Sequence, residues 1–282
     1  WISTSKIVLS TFFYLSALIC YIQYMRNSKW QYLLASVVSS ILAMGCKEQS
    51  VIIVPCLLLF DWMLFKRNMR SLKVYIEKVY YLIPAIAIFI VTLVANKDTG
   101  EEIIGYTIVD RFIFLCYSVF MYLLISAIPF KLSYLYPFPF QVGEKIPMAL
   151  WIYPFVILFI GYVIYLNRKK PLLVFCTLFF ILHLLPVLHV IPLPRYVVVA
   201  DRYLYIPYIA FAIGLSILSY HLYERQRKWI LYAGFLYCSY LCVYTASYAP
   251  AWKNSDTLKE HFKEVLKKRE TNLSINFKHE KQ

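Results

Sequence analysis

The stretch VVVADRYLYIP, residues 197–207, places an acid and a base side by side where an apolar segment begins. The planar guanidinium of Arg202 suits two-point binding of a phosphate group, and the neighbouring Asp201 can hold it in position or accept a hydrogen bond. Tyr203 adds a ring and a hydroxyl. The amino-terminal end of a helix also favours an anion. These three residues therefore predict a phosphate site at the start of a membrane helix.

A second charged pair, Lys47-Glu48, lies at the turn between two apolar segments, where glycine, asparagine or serine would be less costly. Charges kept at a membrane turn are candidates for function. We expect Lys47 to bind a phosphate, and Glu48 to orient it or to contact a sugar hydroxyl. The alternative is a solvated turn whose side chains extend to water.

Arg195 is a further candidate for the phosphate site, because it lies in the same loop as the first acid–base pair. His183 and His189 add polar groups to the same loop but are six residues apart, which is not zinc-ligand spacing, so we expect hydrogen-bonded interfacial side chains. Glu101 and Glu102 could help to hold a divalent cation or a sugar. No cofactor is certain from these residues, and a divalent cation stays an open alternative.

The composition defines the class of protein. Of 282 residues, 61% are apolar and 16% are charged, whereas a soluble domain is about 45–50% apolar. The net charge of +14 falls in short clusters between apolar runs, so we expect cytoplasmic loops and membrane lipids as partners, and no nucleic acid. Seven glycines and no nucleotide-binding motif disfavour a nucleotide-sugar enzyme or a primary pump.

The elements that position these groups are predicted to be helices, which makes the fold an all-α polytopic transmembrane bundle. A spanning helix needs about 20 apolar residues. Nine apolar segments are visible: 6–25, 31–45, 50–65, 75–95, 108–129, 150–166, 171–188, 203–220 and 229–248.

The loops between the segments predict their orientation. The basic loops are expected on the cytoplasmic side: 25–29, 66–73, 167–170 and 224–228. The acidic loop 96–102 is expected outside. Three apolar segments separate the inside loops 66–73 and 167–170, although the number of crossings between them must be even.

One segment therefore should not cross completely. We select 108–129, which starts with Asp110-Arg111 and runs into the proline-rich IPFKLSYLYPFPF, and we expect it to be interfacial or re-entrant. About eight spanning helices remain, and the candidate phosphate residues then share the outer side with the tail. The alternative is a ninth spanning helix with one basic loop outside.

Two domains are predicted, a transmembrane core at 1–251 and the start of an external helical domain at 252–282. The tail is polar and has apolar residues at helical spacing, and we expect its helix to be capped at Ser255 or Asp256. The alternative is a disordered basic tail. Because the chain opens at Trp1 without an initiator Met, we expect a fragment of a longer protein.

Four stretches, taken in order, resemble motifs of GT-C-type membrane glycosyltransferases that carry tetratricopeptide repeats. They are LAMGCKEQSVIIVPCLLLFDWML, LLISAIPFKLSYLYPFPF, VADRYLYIPYIAFAIGL and YAPAWKNSDTLKEHFKEVLKKRETN. Each motif alone is weak, whereas their order and spacing match over most of the chain from about residue 30 onward. The last stretch corresponds to the sequence that leads into the repeats.

The resemblance implies transfer of a sugar from a polyprenyl-phosphate-linked donor to a protein or glycan acceptor at the external or lumenal face. It places Lys47, Glu48, Asp201, Arg202 and Tyr203 in the donor pocket. The acidic catalytic residues of such enzymes lie in the first external loop, and nothing here corresponds to it. We therefore expect the general base upstream of Trp1, and either a bacterial inner membrane or an endoplasmic reticulum membrane.

Two other functions stay open. A transporter or flippase of lipid-linked glycans would carry charges at mid-membrane depth and paired broken helices, whereas the charges here are expected at one face. A membrane subunit without chemistry of its own would explain the lack of a visible catalytic acid.

Overall fold

The computed structural model describes residues 2–95, 105–129, 132, 136–140, 142–188, 197–225, 227–254 and 256–257. Within these ranges the chain forms nine α-helices. They are α1 (Ile2–Asn27), α2 (Trp30–Cys46), α3 (Ile53–Met63), α4 (Leu72–Ala95), α5 (Ile108–Ala127), α6 (Ile152–Leu166), α7 (Pro171–Leu184), α8 (Pro207–Arg225) and α9 (Arg227–Tyr248). Each helix falls on one of the nine predicted apolar segments, so the all-α class is confirmed.

Five helices of the described ranges are long enough and apolar enough to cross a bilayer: Ser5–Asn27, Leu72–Thr92, Ile108–Ala127, Met148–Leu166 and Lys228–Tyr248. Three shorter apolar helices accompany them, at Trp30–Cys46, Pro171–Leu184 and Pro207–Tyr220. These helices indicate a membrane protein. The count of eight spanning helices stays a prediction.

The first four helices run alternately up and down, so that the bundle has two distinct ends. The Ser10 hydroxyl donates to the Ala43 carbonyl (3.0 Å), and the Ser36 hydroxyl donates to the Ala17 carbonyl (2.7 Å). This register makes α1 and α2 an antiparallel hairpin. We call the end that holds Ser10 and the turn after Cys46 the turn end, and the end that holds the loop 64–71 the basic-loop end.

The last four helices continue this alternation. On α7 and α8, Phe180 packs against Phe211, and a Cβ built on Gly214 would lie 3.8 Å from Cys176, so these helices are antiparallel. The turn 167–170 joins α6 to α7 at the basic-loop end. Consequently α6 and α8 run towards the basic-loop end, and α7 and α9 run away from it.

Helix α5 runs away from the turn end, as α6 does. Its middle contacts Tyr153 at the start of α6, with the rings of Tyr117 and Phe120 at centroid distances of 5.1 and 5.2 Å, whereas its end at Ala127 lies beside Tyr237 in the middle of α9. After α5 the chain reverses and follows α9 towards the turn end. Three tyrosine hydroxyls of α9 mark this return: Tyr237 with Ala127 O (2.8 Å), Tyr240 with Pro129 O (2.6 Å) and Tyr244 with Leu132 N (2.9 Å).

Helix α5 enters the bundle from the turn end, and the described residues after it lead back towards the same end. Helix α5 itself is regular over its full length and starts with a capping box between Thr107 and Asp110. The entering arm is therefore an intact helix, whereas the described residues 128–129 and 132 of the returning arm are not helical. Whether α5 spans a membrane stays a prediction.

The polar tail begins with a cap one or two residues earlier than predicted. The Asn254 side chain accepts the Thr257 amide (2.8 Å), and the Thr257 hydroxyl accepts the Asn254 amide (3.2 Å). This reciprocal pair has the geometry of a capping box, which satisfies amides at a helix start. Residues 256–257 are helical, and residues 258–282, on which most of the predicted external domain falls, lie outside the described residues.

Candidate anion-binding site

A small cavity lies at the turn end of the bundle, where α1, the turn after α2, α7 and the start of α8 meet. Its volume is about 40 Å³. Three of the six predicted site residues line it, namely Lys47, Arg202 and Tyr203. The other polar side chains of the lining are Ser10, Thr11, Gln49, Ser50, His183 and Tyr205.

The abrupt end of α2 positions Lys47. The helix stops at Cys46, Lys47 takes an extended backbone (φ −151°, ψ 122°), and a short 3₁₀ turn, Glu48–Ile52, leads into α3. The Lys47 ammonium lies 2.6 Å from a Glu48 carboxylate oxygen. These side chains are 25% and 39% exposed, so the pair contributes only about 0–1 kcal/mol to stability. Glu48 thus compensates the lysine charge from beside the cavity.

A buried extended segment positions Arg202. Residues 197–200 form an isolated antiparallel pairing with Tyr136, in which the Val198 amide donates to Tyr136 O (3.0 Å) and the Tyr136 amide donates to Val199 O (3.2 Å). The Ser118 hydroxyl of α5 donates to Val198 O (3.2 Å). This segment fixes the start of the 3₁₀ turn Asp201–Leu204, from which Arg202 reaches the cavity.

The predicted residues differ in where the structure places them. Asp201 opens the 3₁₀ turn and is half-buried, next to the cavity. The guanidinium carbon of Arg202 lies 5.1 Å from the centroid of the Tyr203 ring, within cation–π range. Arg195 and His189 lie outside the described residues.

His183 is buried in the wall of the cavity rather than interfacial, although the predicted hydrogen bonding is present. Its Nδ1 lies 2.8 Å from Phe179 O, and because a carbonyl oxygen only accepts, Nδ1 carries the proton. Its Nε2 lies 2.8 Å from the Tyr14 hydroxyl. In the neutral ring this nitrogen carries no proton, so it accepts a hydrogen bond from that hydroxyl. The ring is held on both sides, so His183 forms a fixed polar wall.

The structure adds residues that sequence reasoning missed. The Ser10 hydroxyl donates to Ala43 O, so in the 2.7 Å contact between Ser10 and Ser50 the donor is Ser50. The buried amide nitrogen of Gln49 has no hydrogen-bond partner among the described residues. Gln49 and Ser50 directly follow the Lys47-Glu48 pair, and that adjacency could have indicated them. Nothing in the sequence distinguished Ser10.

The chemistry of this lining favours a small anion. Of the described residues that line it, two are cations and none is a carboxylate, and the buried side-chain amide of Gln49 offers a hydrogen-bond donor. Pro207, at the amino-terminal end of α8, also lines the cavity, so the helix dipole adds positive potential. One water molecule needs roughly 10–15 Å³ of cavity volume, so the cavity of about 40 Å³ has room for about three waters. That room suits a phosphate group, whereas a sugar ring would have to lie outside.

A second charged cluster lies at the basic-loop end and was missed from the sequence. Its central residue is Asp61, near the carboxyl-terminal end of α3, which is fully buried. Its carboxylate accepts the Tyr21 hydroxyl (2.6 Å) and the Lys78 ammonium (2.6 Å). Arg67 lies 3.4 Å from the same carboxylate.

Glu77 completes this ionic cluster. Its carboxylate accepts two hydrogen bonds from the Arg67 guanidinium (2.6 and 3.2 Å) and one from the Tyr24 hydroxyl (3.2 Å). The hydrogen bonds to Glu77 raise the pKa of Arg67 further above its ordinary value. Two cations and two carboxylates balance, and a tyrosine hydroxyl of α1 donates to each carboxylate. The ionic cluster therefore joins α1, α3, α4 and the loop 64–71.

Within the described ranges, no three His, Cys, Asp or Glu side chains lie close enough together to hold a metal ion. No protein-family model, curated protein or solved structure matches the chain. The resemblance to repeat-bearing glycosyltransferases therefore stays a prediction.

Proposed function

We propose that the protein is a membrane glycosyltransferase that takes a sugar from a polyprenyl-phosphate-linked donor and transfers it to a protein or glycan hydroxyl at the external or lumenal face. The observation that carries this proposal is that Lys47 and Arg202, from distant parts of the chain, line one cavity. A cavity of phosphate size at the end of a lipid-exposed bundle suits the head of a lipid donor better than a soluble diphosphate.

In this proposal the chain's own residues hold the donor rather than attack it. Arg202 and Lys47 bind the phosphate, the Gln49 amide donates to a phosphate oxygen, and Glu48 lies where a sugar hydroxyl outside the cavity would reach it. An acceptor hydroxyl must lose a proton as it attacks the sugar, and a carboxylate does this best. Among the described residues that line the cavity there is no carboxylate, so the proposal assigns them donor binding and not proton abstraction.

Binding of undecaprenyl monophosphate to the chain in phosphatidylcholine nanodiscs tests the proposal. Because a hydrogen-bonded charged contact is worth about 1.5–3 kcal/mol, Arg202→Ala should weaken binding at least tenfold, and Arg202→Lys should retain part of it. The matched control is Arg70→Ala, an exposed arginine at the basic-loop end. If both alanine variants bind like the wild type while remaining folded, the donor site is wrong.

A lipid-linked glycan transporter is the second candidate, and one observation favours it. The sequence argument against a transporter was that charges gather at one face, whereas Asp61, Glu77 and Lys78 are buried at the basic-loop end, opposite the cavity. Ionisable residues buried in a membrane protein often mark transport pathways. A liposome flipping assay without acceptor separates the candidates, since only a transporter would move labelled undecaprenyl-phosphate sugar between leaflets.

A further inference from the structure

A long apolar groove lies between two pairs of helices and is separate from the cavity. Helix α6 packs against α5, and α7 packs against α8, and the groove runs between these pairs. Its volume is about 580 Å³, within the range of about 300–1,000 Å³ that ligand sites occupy. Its walls are aliphatic and aromatic along most of their length, which fits a hydrocarbon chain.

Two glycines keep the groove open. A Cβ built on Gly161 would meet no atom within 4 Å, and one built on Gly214 would meet only Cys176, at 3.8 Å. Glycine in a helix interior costs about 1 kcal/mol relative to alanine. Both glycines line the groove, and there is room for a side chain at each position. The helices therefore do not need glycine here in order to pack closely, and its effect is to leave the groove open.

The polar groups of the groove lie at the basic-loop end. Asn167 and Lys170 line that end, whereas the hydroxyl of Thr177 is already used by Leu173 O (3.0 Å). Arg168 and Lys169 are exposed beside them. The amino-terminal end of α7 begins at Pro171, directly after this cluster, and adds its dipole. An apolar groove that ends in three consecutive cations matches an amphipathic anion.

We propose that this groove binds a glycerophospholipid with an anionic headgroup, one acyl chain lying between α6 and α7 and the phosphate lying at Lys170. The basic loops predict that this end faces the cytoplasm, and the cytoplasmic leaflet is the one that carries acidic lipid. Basic pockets between transmembrane helices on that side bind acidic headgroups. The lipid fills a space that the helices leave, and it joins α6 to α7.

Native mass spectrometry of the detergent-solubilised chain, titrated with phosphatidylglycerol or phosphatidylcholine of identical acyl chains, tests the proposal. We expect phosphatidylglycerol to be retained about tenfold more strongly. Gly161→Leu should remove retention of both lipids, because its side chain enters the groove. Lys170→Gln should lower phosphatidylglycerol binding about fivefold and leave phosphatidylcholine unchanged.

Gly234→Leu is the matched control, since a Cβ there also meets nothing within 4 Å but lies on α9, outside the groove. It should retain both lipids. Thermal unfolding provides a second readout, because bound lipid raises the midpoint in proportion to its occupancy. Equal retention of both lipids by the wild type, or equal behaviour of the Gly161 and Gly234 variants, overturns the proposal. So does displacement of phosphatidylglycerol by undecaprenyl phosphate, which would make the groove part of the donor site.

Discussion

Removing one cation from the buried ionic cluster should destabilise the protein strongly. Lys78→Met keeps most of the side-chain volume and deletes the ammonium that lies 2.6 Å from Asp61. Lys78 is 4% exposed and Asp61 is fully buried, so solvent cannot replace the lost partner. At an effective dielectric constant of about 20, two unit charges at this distance attract each other by roughly 6 kcal/mol.

The net loss should be smaller than that attraction. Burying the lysine costs several kcal/mol of desolvation that the variant no longer has to meet. Arg67, 3.4 Å from Asp61, also continues to compensate the carboxylate. Breaking a buried pair from one side typically costs 3–5 kcal/mol, and we expect about 3 kcal/mol here.

A double-mutant cycle shows whether the pair itself is responsible. Asp61→Asn removes the carboxylate charge, and the double variant Asp61→Asn/Lys78→Met leaves no uncompensated charge between these two residues. We expect the double variant to lose at least 2 kcal/mol less than the sum of the single variants. Lys73→Met, an exposed lysine of the same helix, should change stability by less than about 0.5 kcal/mol.

The measurement is reversible unfolding in mixed micelles, followed by tryptophan fluorescence as sodium dodecyl sulfate is added. The cycle must be measured in one detergent at one ionic strength, because screening changes the contribution of the exposed control more than that of the buried pair. If the Lys78 and Lys73 variants unfold at the same detergent fraction, or if the single losses simply add, the ionic cluster does not hold these helices together.

Two smaller changes probe the turn end. Glu48→Gln removes the charge that compensates Lys47. Binding of undecaprenyl monophosphate, which carries no sugar, should therefore strengthen about two- to fivefold in the nanodisc assay. Weaker binding would show that Glu48 itself contacts the lipid head. Tyr244→Phe removes the acceptor of the Leu132 amide. Hydrogen exchange over 127–132 should accelerate about fivefold, which corresponds to about 1 kcal/mol, while the amides of α9 keep their protection. Unchanged exchange would mean that the Tyr244 hydroxyl does not hold the chain that returns after α5.

The helices could be predicted from the sequence because each depends on a local property, the length of an apolar run. All nine predicted segments contain a helix, and the ends shifted by a few residues where polar turns such as Glu48–Ile52 took up part of a segment. A count of loop charges predicts that segment 108–129 does not cross completely, and that prediction stays open, although the chain reverses after Ala127. The same count of loop charges and crossings predicts that Lys47 and Arg202 lie at the same end of the bundle.

The ionic cluster could not be derived in this way, because its members come from α1, α3, α4 and a loop. Asp61 near a helix end looks like an ordinary terminal charge, and only the fold places Tyr21 and Lys78 against it. One signal was present: Glu77-Lys78 falls inside the apolar segment 75–95, and two opposite charges in a membrane segment call for buried partners. The cavity residues of α1 carried no comparable signal, because serine and threonine are common in membrane helices.

The three tyrosines that hold the return segment are spaced three and four residues apart, so they share one face of α9. Insertion of a single residue between Tyr237 and Tyr244 would rotate everything beyond it by about 100° and move at least one hydroxyl off the shared face of the helix. This stretch of α9 should therefore accept many exchanges of side chain but no change in the number of residues. Its length, more than its composition, sets where the chain turns back inside the bundle.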